Sequence, residues 1–230
     1  MIIGIAGNIN SGKDTIASML NYIFVVGKHK ASYAEWATKQ KAYDASYSNR
    51  LVHFADTIKD NLSDIFHLNR DLFDNRQFKD ELWYHPSTGK FIKEEALKDK
   101  HIKFTIEDSI ELLKNKNVVF KLRTIIQLYA EHIKLLFGEN IWIRSCIGKA
   151  LYLNLTFKYS LIPDVRFFNE LKAIWKEDGI VIKIERPNNE IKSNHCSENN
   201  NLPCNYTIIN DGALPQLFYK VLAVYEKITN

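Results

Sequence analysis

Apolar positions in this chain fall into two kinds of run. Short continuous ones read as strands: Ile2–Ala6, Leu51–Ala55, Tyr159–Pro163, Ile180–Glu185 and Tyr206–Ile209. Longer ones, with apolar residues every three or four positions, read as helices: Ile16–Val26, Thr57–His67, Lys121–Phe137, Ile141–Leu155, Phe168–Lys176 and Leu214–Ile228. Asp56 is placed to cap the second of these, whose stripe is Ile58, Leu62, Ile65 and Phe66. On the long helix, Leu128, Leu135 and Leu136 are expected in the core. Strands that alternate with helices predict an α/β fold, with a mostly parallel sheet covered by helices on both faces.

Three stretches break the rhythm. Gly27–Asn49 is polar and irregular, with aromatic residues scattered through it. From Asn69 to about Asn117 charges, aromatics and a Pro-Ser-Thr-Gly turn follow without a period, and so long an interruption predicts a lid or arm inserted into a single domain. Asn188–Asn201 is asparagine-rich and expected to be mobile.

Composition narrows the class. The 230 residues are 46% hydrophobic and 25% charged, an ordinary globular balance. No apolar run reaches the roughly 18 residues of a membrane span, and no secretory leader is legible, so a cytoplasmic protein without a membrane partner is expected. A net charge of +4, scattered along the chain, suits an anionic small molecule and does not argue for nucleic acid. Cys146, Cys196 and Cys204 are odd in number and lack C-x-x-C spacing, which favours free thiols. His195, Cys196 and Cys204 lack a fourth ligand for zinc.

The chemistry begins at Gly7–Thr15, GNINSGKDT, a G-x-x-x-x-G-K pattern between the first strand and the first helix. Gly7 and Gly12 let backbone N–H groups turn inward around a phosphate, and the helix N-terminus adds its positive end. Asn10 and Ser11 complete the loop, and Lys13 reaches toward the β- and γ-phosphates. Asp14 stands where a hydroxyl residue usually follows the lysine, and the hydroxyl comes one step later, at Thr15. Ligands of open parallel sheets lie beyond the carboxyl ends of the strands. That places Asp164 and Arg166, in SLIPDVRF, where a carboxylate holds a Mg²⁺-bound water and a guanidinium grips a phosphoryl group. Arg123, Gln127 and Glu131 share a helix face fit for a nucleotide. Trp142 is a candidate stacking residue. Lys59, in HFADTIKD, is placed to meet a phosphate, facing the loop across a cleft. Arg70, Arg76, Lys79 and Lys90 in the interruption fit a cationic arm that closes over phosphates.

Together these pieces resemble the deoxynucleoside monophosphate kinases of tailed phages, a family of P-loop kinases. The resemblance runs through Gly7–Thr15, Phe54–Lys59, Arg123 with Gln127, Trp142 after Phe137–Asn140, Asp164–Glu170, His195–Glu198 and Asn210–Gly212. It implies a P-loop NTPase-like sheet, transfer of the ATP γ-phosphoryl group to a deoxynucleoside 5′-monophosphate, and Mg²⁺. By the same resemblance Lys13, Asp14 and Thr15 serve ATP and metal. Lys59, Arg123, Gln127, Trp142, Asp164, Arg166 and Glu170 form the substrate side, and a homodimer is a possible assembly. Two positions depart from the family pattern: Ala130-Glu131 replaces Gly-Thr, and Lys134 is the nearest cation to an expected Arg. A dephospho-coenzyme A kinase-like enzyme and an inactive nucleotide-binding regulator are the rival readings.

Overall fold

Every residue of the first strand is buried, with Ile3 and Ile5 facing one side and Ile2 and Ala6 the other. The computed structural model describes residues 1–43, 50–85, 88–93, 119–187 and 202–229. In chain order the elements are β1 (Ile2–Gly7), α1 (Lys13–Val26), α2 (Tyr33–Tyr43), α3 (Asp56–Phe66), a 3-10 turn (Arg70–Phe73), α4 (Arg76–Glu81), β2 (Leu82–His85), β3 (Lys90–Lys93) and β4 (Phe120–Lys121). They continue with α5 (Leu122–Phe137), α6 (Ile141–Phe157), β5 (Ser160–Val165), α7 (Phe168–Lys176), β6 (Ile180–Glu185), β7 (Tyr206–Ile209) and α8 (Leu214–Thr229). They form two units, Met1–Phe54 with Ile143–Asn230, and Ala55–Trp142. Among the described residues no helix is long and apolar enough to cross a membrane.

The first unit is a parallel sheet in the order β5-β1-β6-β7. A central strand apolar on both faces requires cover on both. On the Ile3–Ile5 face it comes from Ile16 and Leu20 of α1, Trp36 of α2, and Phe218 and Val221 of α8. On the other it comes from Ile143 and Ile147 of α6 and from Leu171 and Ile174 of α7. Ile2, Ile3 and Ile5 are fully buried, which stabilises the fold by about 1.5–3 kcal/mol for each side chain.

The second unit pairs β3-β2-β4 antiparallel. Ile58 and Leu62 of α3, Phe73, Leu122 of α5 and Trp142 form its core.

The sheet strands fall close to their expected places, and four local expectations change. The stretch from Gly27 contains a helix, α2, which buries only Trp36 and so leaves little apolar period to read. Leu51–Ala55 supplies a single parallel bridge, Leu51 to Leu161, before the chain turns into α3. That helix starts at Asp56 itself, with Ala55 in the cap position, and leaves Ile65 58% exposed. The last turn of α5 runs past its core contacts, so Leu135 and Leu136 are 73% and 74% exposed rather than buried. Within Asn69–Asn117 the described part is ordered into the 3-10 turn, α4, β2 and β3. Residues 94–117, and the His195–Glu198 loop with Cys196, lie outside the described residues. Cys146 and Cys204 are free thiols, and burial pushes the Cys204 thiol up.

Candidate active site

In the first unit the site is built at the carboxyl ends of β1 and β5. β1 runs into the loop Asn8–Gly12, and α1 starts at Lys13. Gly12 caps α1 at φ 99°, a conformation glycine adopts without strain, and a Cβ there would meet Asn210 Nδ2 at 2.8 Å. A Cβ on Gly7 would meet the carbonyl oxygen of Ile184 at 2.8 Å and Ser11 Oγ at 2.6 Å. Only glycine lets the backbone come this close at both places. Asn210 Nδ2 donates to the Ser11 carbonyl at 2.8 Å, and Arg186 Nη1 donates to the Asn10 carbonyl at 3.1 Å. Two side chains from beyond β7 and β6 therefore brace the loop. Neither bracing role is visible in the sequence, although Asn210 lies in the N-D-G segment.

Lys13 is half-buried, and its Nζ donates to the carbonyls of Gly7 at 2.6 Å and Asn8 at 2.7 Å. The ammonium is thus held against the loop. Ser11 Oγ is buried and has no hydrogen-bond partner among the described residues. A buried hydroxyl without a partner costs about 1–3 kcal/mol, which a ligand oxygen would recover. Asp14 is exposed in the first turn of α1, and Thr15 is half-exposed.

Beside this loop, β5 carries an irregularity with a covalent cause. Pro163 has no N–H to give the ladder. Gly4 pairs with Ile162 but Ala6 with Val165, so β5 spends one more residue than β1 over this step. Such a bulge re-aims side chains, and Asp164 lies within it. Asp164 is therefore part of β5, one position before the strand ends. Arg166 follows, exposed, and makes no ion pair among the described residues.

Glu170, on the first turn of α7, is 8% exposed. Its Oε2 accepts from the backbone N–H of Arg166 at 2.7 Å and of Phe167 at 2.9 Å. It thereby fixes the backbone of the D-V-R-F segment. Burial, reinforced by the Asp164 charge, raises its pKa from 4.5 to about 7. The folded state holds this proton more tightly than the unfolded state. The resulting stability is full below pH 4.5 and is lost as pH rises through about 7, amounting to about 3 kcal/mol. Glu170→Gln keeps an acceptor for both N–H groups and removes the titration. Urea midpoints at pH 5 and pH 8 should fall with pH more steeply in the wild type than in this variant. Equal slopes would assign the titration to other groups.

In the second unit, Arg123 binds Asp80 in two-pronged fashion, Nε to Oδ1 at 2.6 Å and Nη2 to Oδ2 at 3.0 Å. The guanidinium holds the Asp80 carboxyl below its usual range. Lys59 Nζ meets Asp74 Oδ1 at 2.6 Å. Arg70 bridges Asp56 at 3.0 Å and Asp60 at 2.7 Å, and also pairs with Asp74. Gln127 is exposed on α5. Trp142 is 7% exposed, and its indole N–H donates to the Ala130 carbonyl at 3.0 Å, so its ring belongs to the core behind Ala130. The two departures from the family pattern meet: Lys134 Nζ pairs with Glu131 Oε1 at 2.7 Å. The negative charge added at Glu131 is met by its neighbour's cation.

A parallel sheet whose central strand feeds a glycine loop and a helix, with helices on both faces, defines an α/β protein of the P-loop kinase type. The sequence model of the deoxynucleotide monophosphate kinase family matches residues 83–221, more than half of the chain, and the chain belongs to that family. It is a kinase, a phosphotransferase with a nucleotide substrate. A comparison with curated proteins finds no match.

Proposed function

We propose that the protein transfers the γ-phosphoryl group of ATP to a deoxynucleoside 5′-monophosphate, giving ADP and the deoxynucleoside diphosphate. The observation that carries this reading is the loop at the end of β1: two glycines in close backbone contact, a lysine held over the loop carbonyls, and a buried Ser11 hydroxyl that lacks a partner among the described residues. The family match begins at Trp83, beyond this loop, so the two supports are independent.

In this reading Gly7, Asn10, Ser11 and Gly12 wrap the triphosphate with backbone N–H groups, and Lys13 exchanges its carbonyl partners for phosphate oxygens. Thr15, Asp14 and Asp164 offer a hydroxyl and two carboxylates, the hard oxygen donors that fit Mg²⁺. When bound there, Mg²⁺ would supply charge neutralisation to the phosphates. Arg166 offsets charge on the transferred group, and Asp164 would orient a water of the bound metal or the acceptor phosphate. Glu170 keeps the Arg166 backbone in place. Lys59 and Arg123 receive the acceptor's phosphate, Gln127 reads a base edge or sugar, and Trp142 supports the Ala130 turn behind the base. The segment at about 69–117 serves as the substrate arm of a single kinase domain. The attacking group is already an anionic phosphate oxygen, so no general base is needed.

A coupled ADP-release assay with Mg-ATP and each of dGMP, dTMP, dCMP, dAMP and the ribonucleotides tests the reading. Turnover that depends on a deoxynucleotide is expected, because Arg123 and Gln127 share one helix and the loop keeps its glycines and lysine. Binding of ATP without turnover on any acceptor would overturn it and favour a regulator.

A further inference from the structure

In the second unit Lys79 is a half-buried cation set among ion pairs that its neighbours form with one another. Lys59 and Arg70 share Asp74, and Arg123 occupies Asp80. Lys79 lies on α4, the residue before Asp80, and α4 packs against both the 3-10 turn and α5. Lys79 is half-buried, and its ammonium makes no ion pair or hydrogen bond among the described residues. Its ammonium is pressed toward the neutral form, first by burial and then by the positive charges of Lys59 and Arg123. Three cations close enough to repel one another weaken a fold unless an anion offsets them. Asp74 and Asp80, each bonded to another of the cations, offset the Lys79 charge only in part, so burial and the like charges prevail.

We propose that Lys79, together with Lys59 and Arg123, forms the seat for the acceptor's 5′-phosphate, with Asp74 and Asp80 holding the other two cations in position until the phosphate arrives. A phosphate dianion fits this set better than a carboxylate does. It offers three oxygens, enough for a planar guanidinium and two ammonium groups at once. This inference rests on the kinase reading above and adds to it a residue, Lys79, and an assignment of the phosphate end of the substrate. An exposed lysine whose stem merely covers apolar surface makes a different prediction, since a methionine would replace the stem without loss.

The test uses the full chain and the deoxynucleotide that the wild type turns over best. Lys79→Met should raise the KM for that monophosphate by roughly 10- to 100-fold, the range of one charge-assisted hydrogen bond. Its KM for ATP should stay within about threefold, and its binding of the matching deoxynucleoside, which lacks the phosphate, should be unchanged. The variant should also unfold at an equal or higher temperature than the wild type, because a like-charge repulsion is gone. Lys79→Arg should restore most of the affinity. An unchanged KM in a folded Lys79→Met protein overturns the inference while the kinase reading stands. An equal loss of deoxynucleoside binding also overturns it, because the effect would then not belong to the phosphate. Absence of turnover by the wild type on every monophosphate overturns the kinase reading, and this inference with it.

Discussion

Lys13→Ala should lower kcat by about a hundredfold to a thousandfold or more, with little change in the temperature of unfolding. The size follows from what the ammonium does. In a preorganised site one donor aimed at developing charge contributes about two to three powers of ten in rate. In the proposed reaction Lys13 is such a donor, and the carbonyls of Gly7 and Asn8 hold it against the loop. Its loss leaves the loop glycines, the Asn210 brace and the buried strand intact, so the fold should survive. Coupled ADP release gives kcat, and a thermal melt monitors the fold. Turnover close to wild type in purified Lys13→Ala protein would remove the loop from the reaction.

The second large effect concerns stability. Trp142→Ala should destabilise the protein by about 3–5 kcal/mol, the range for emptying a buried aromatic site. The indole is 7% exposed, shares its core with Ile58, Leu62, Phe73 and Leu122, and lies 6.1 Å from the Tyr129 ring. Trp142→Phe should recover part of this. It leaves the Ala130 carbonyl without the indole N–H, which costs about 1 kcal/mol. Urea unfolding of the three proteins gives the comparison. If the ring only stacked on a base, Trp142→Ala would weaken substrate binding and leave the unfolding midpoint where it was.

Trp142 also shows where sequence reading reaches and where it stops. The sheet was legible because parallel strands are buried on both faces and read as unbroken apolar runs: IIGIA and IVIKIE need no partner to be recognised. The glycine loop was legible because its chemistry is local, from Gly7 to Thr15. Helix α2 was not, since only Trp36 of its eleven residues is buried and the rest carry no period. The strands β2, β3 and β4 are short and mix charge with aromatics, so neither alternation nor length marks them. Contacts between distant residues were the least visible. The Asp80 grip on Arg123 and the Asn210 brace on Ser11 depend on folding, not on motif spacing. The bulge at Pro163 lies between: the proline is in the sequence, but its effect on Asp164 needs β1 alongside.

The order of strands also sets a timetable for synthesis. Ile2 pairs with Ser160 and Ile3 with Ile180, so β1 leaves the ribosome long before either neighbour exists. Ala55–Trp142, by contrast, is contiguous and emerges whole in that interval. Domains fold as units during synthesis, and long-range parallel pairing is slow. The nascent chain therefore carries an apolar strand without partners while the middle of the protein takes shape, and this interval is when it most needs protection from aggregation.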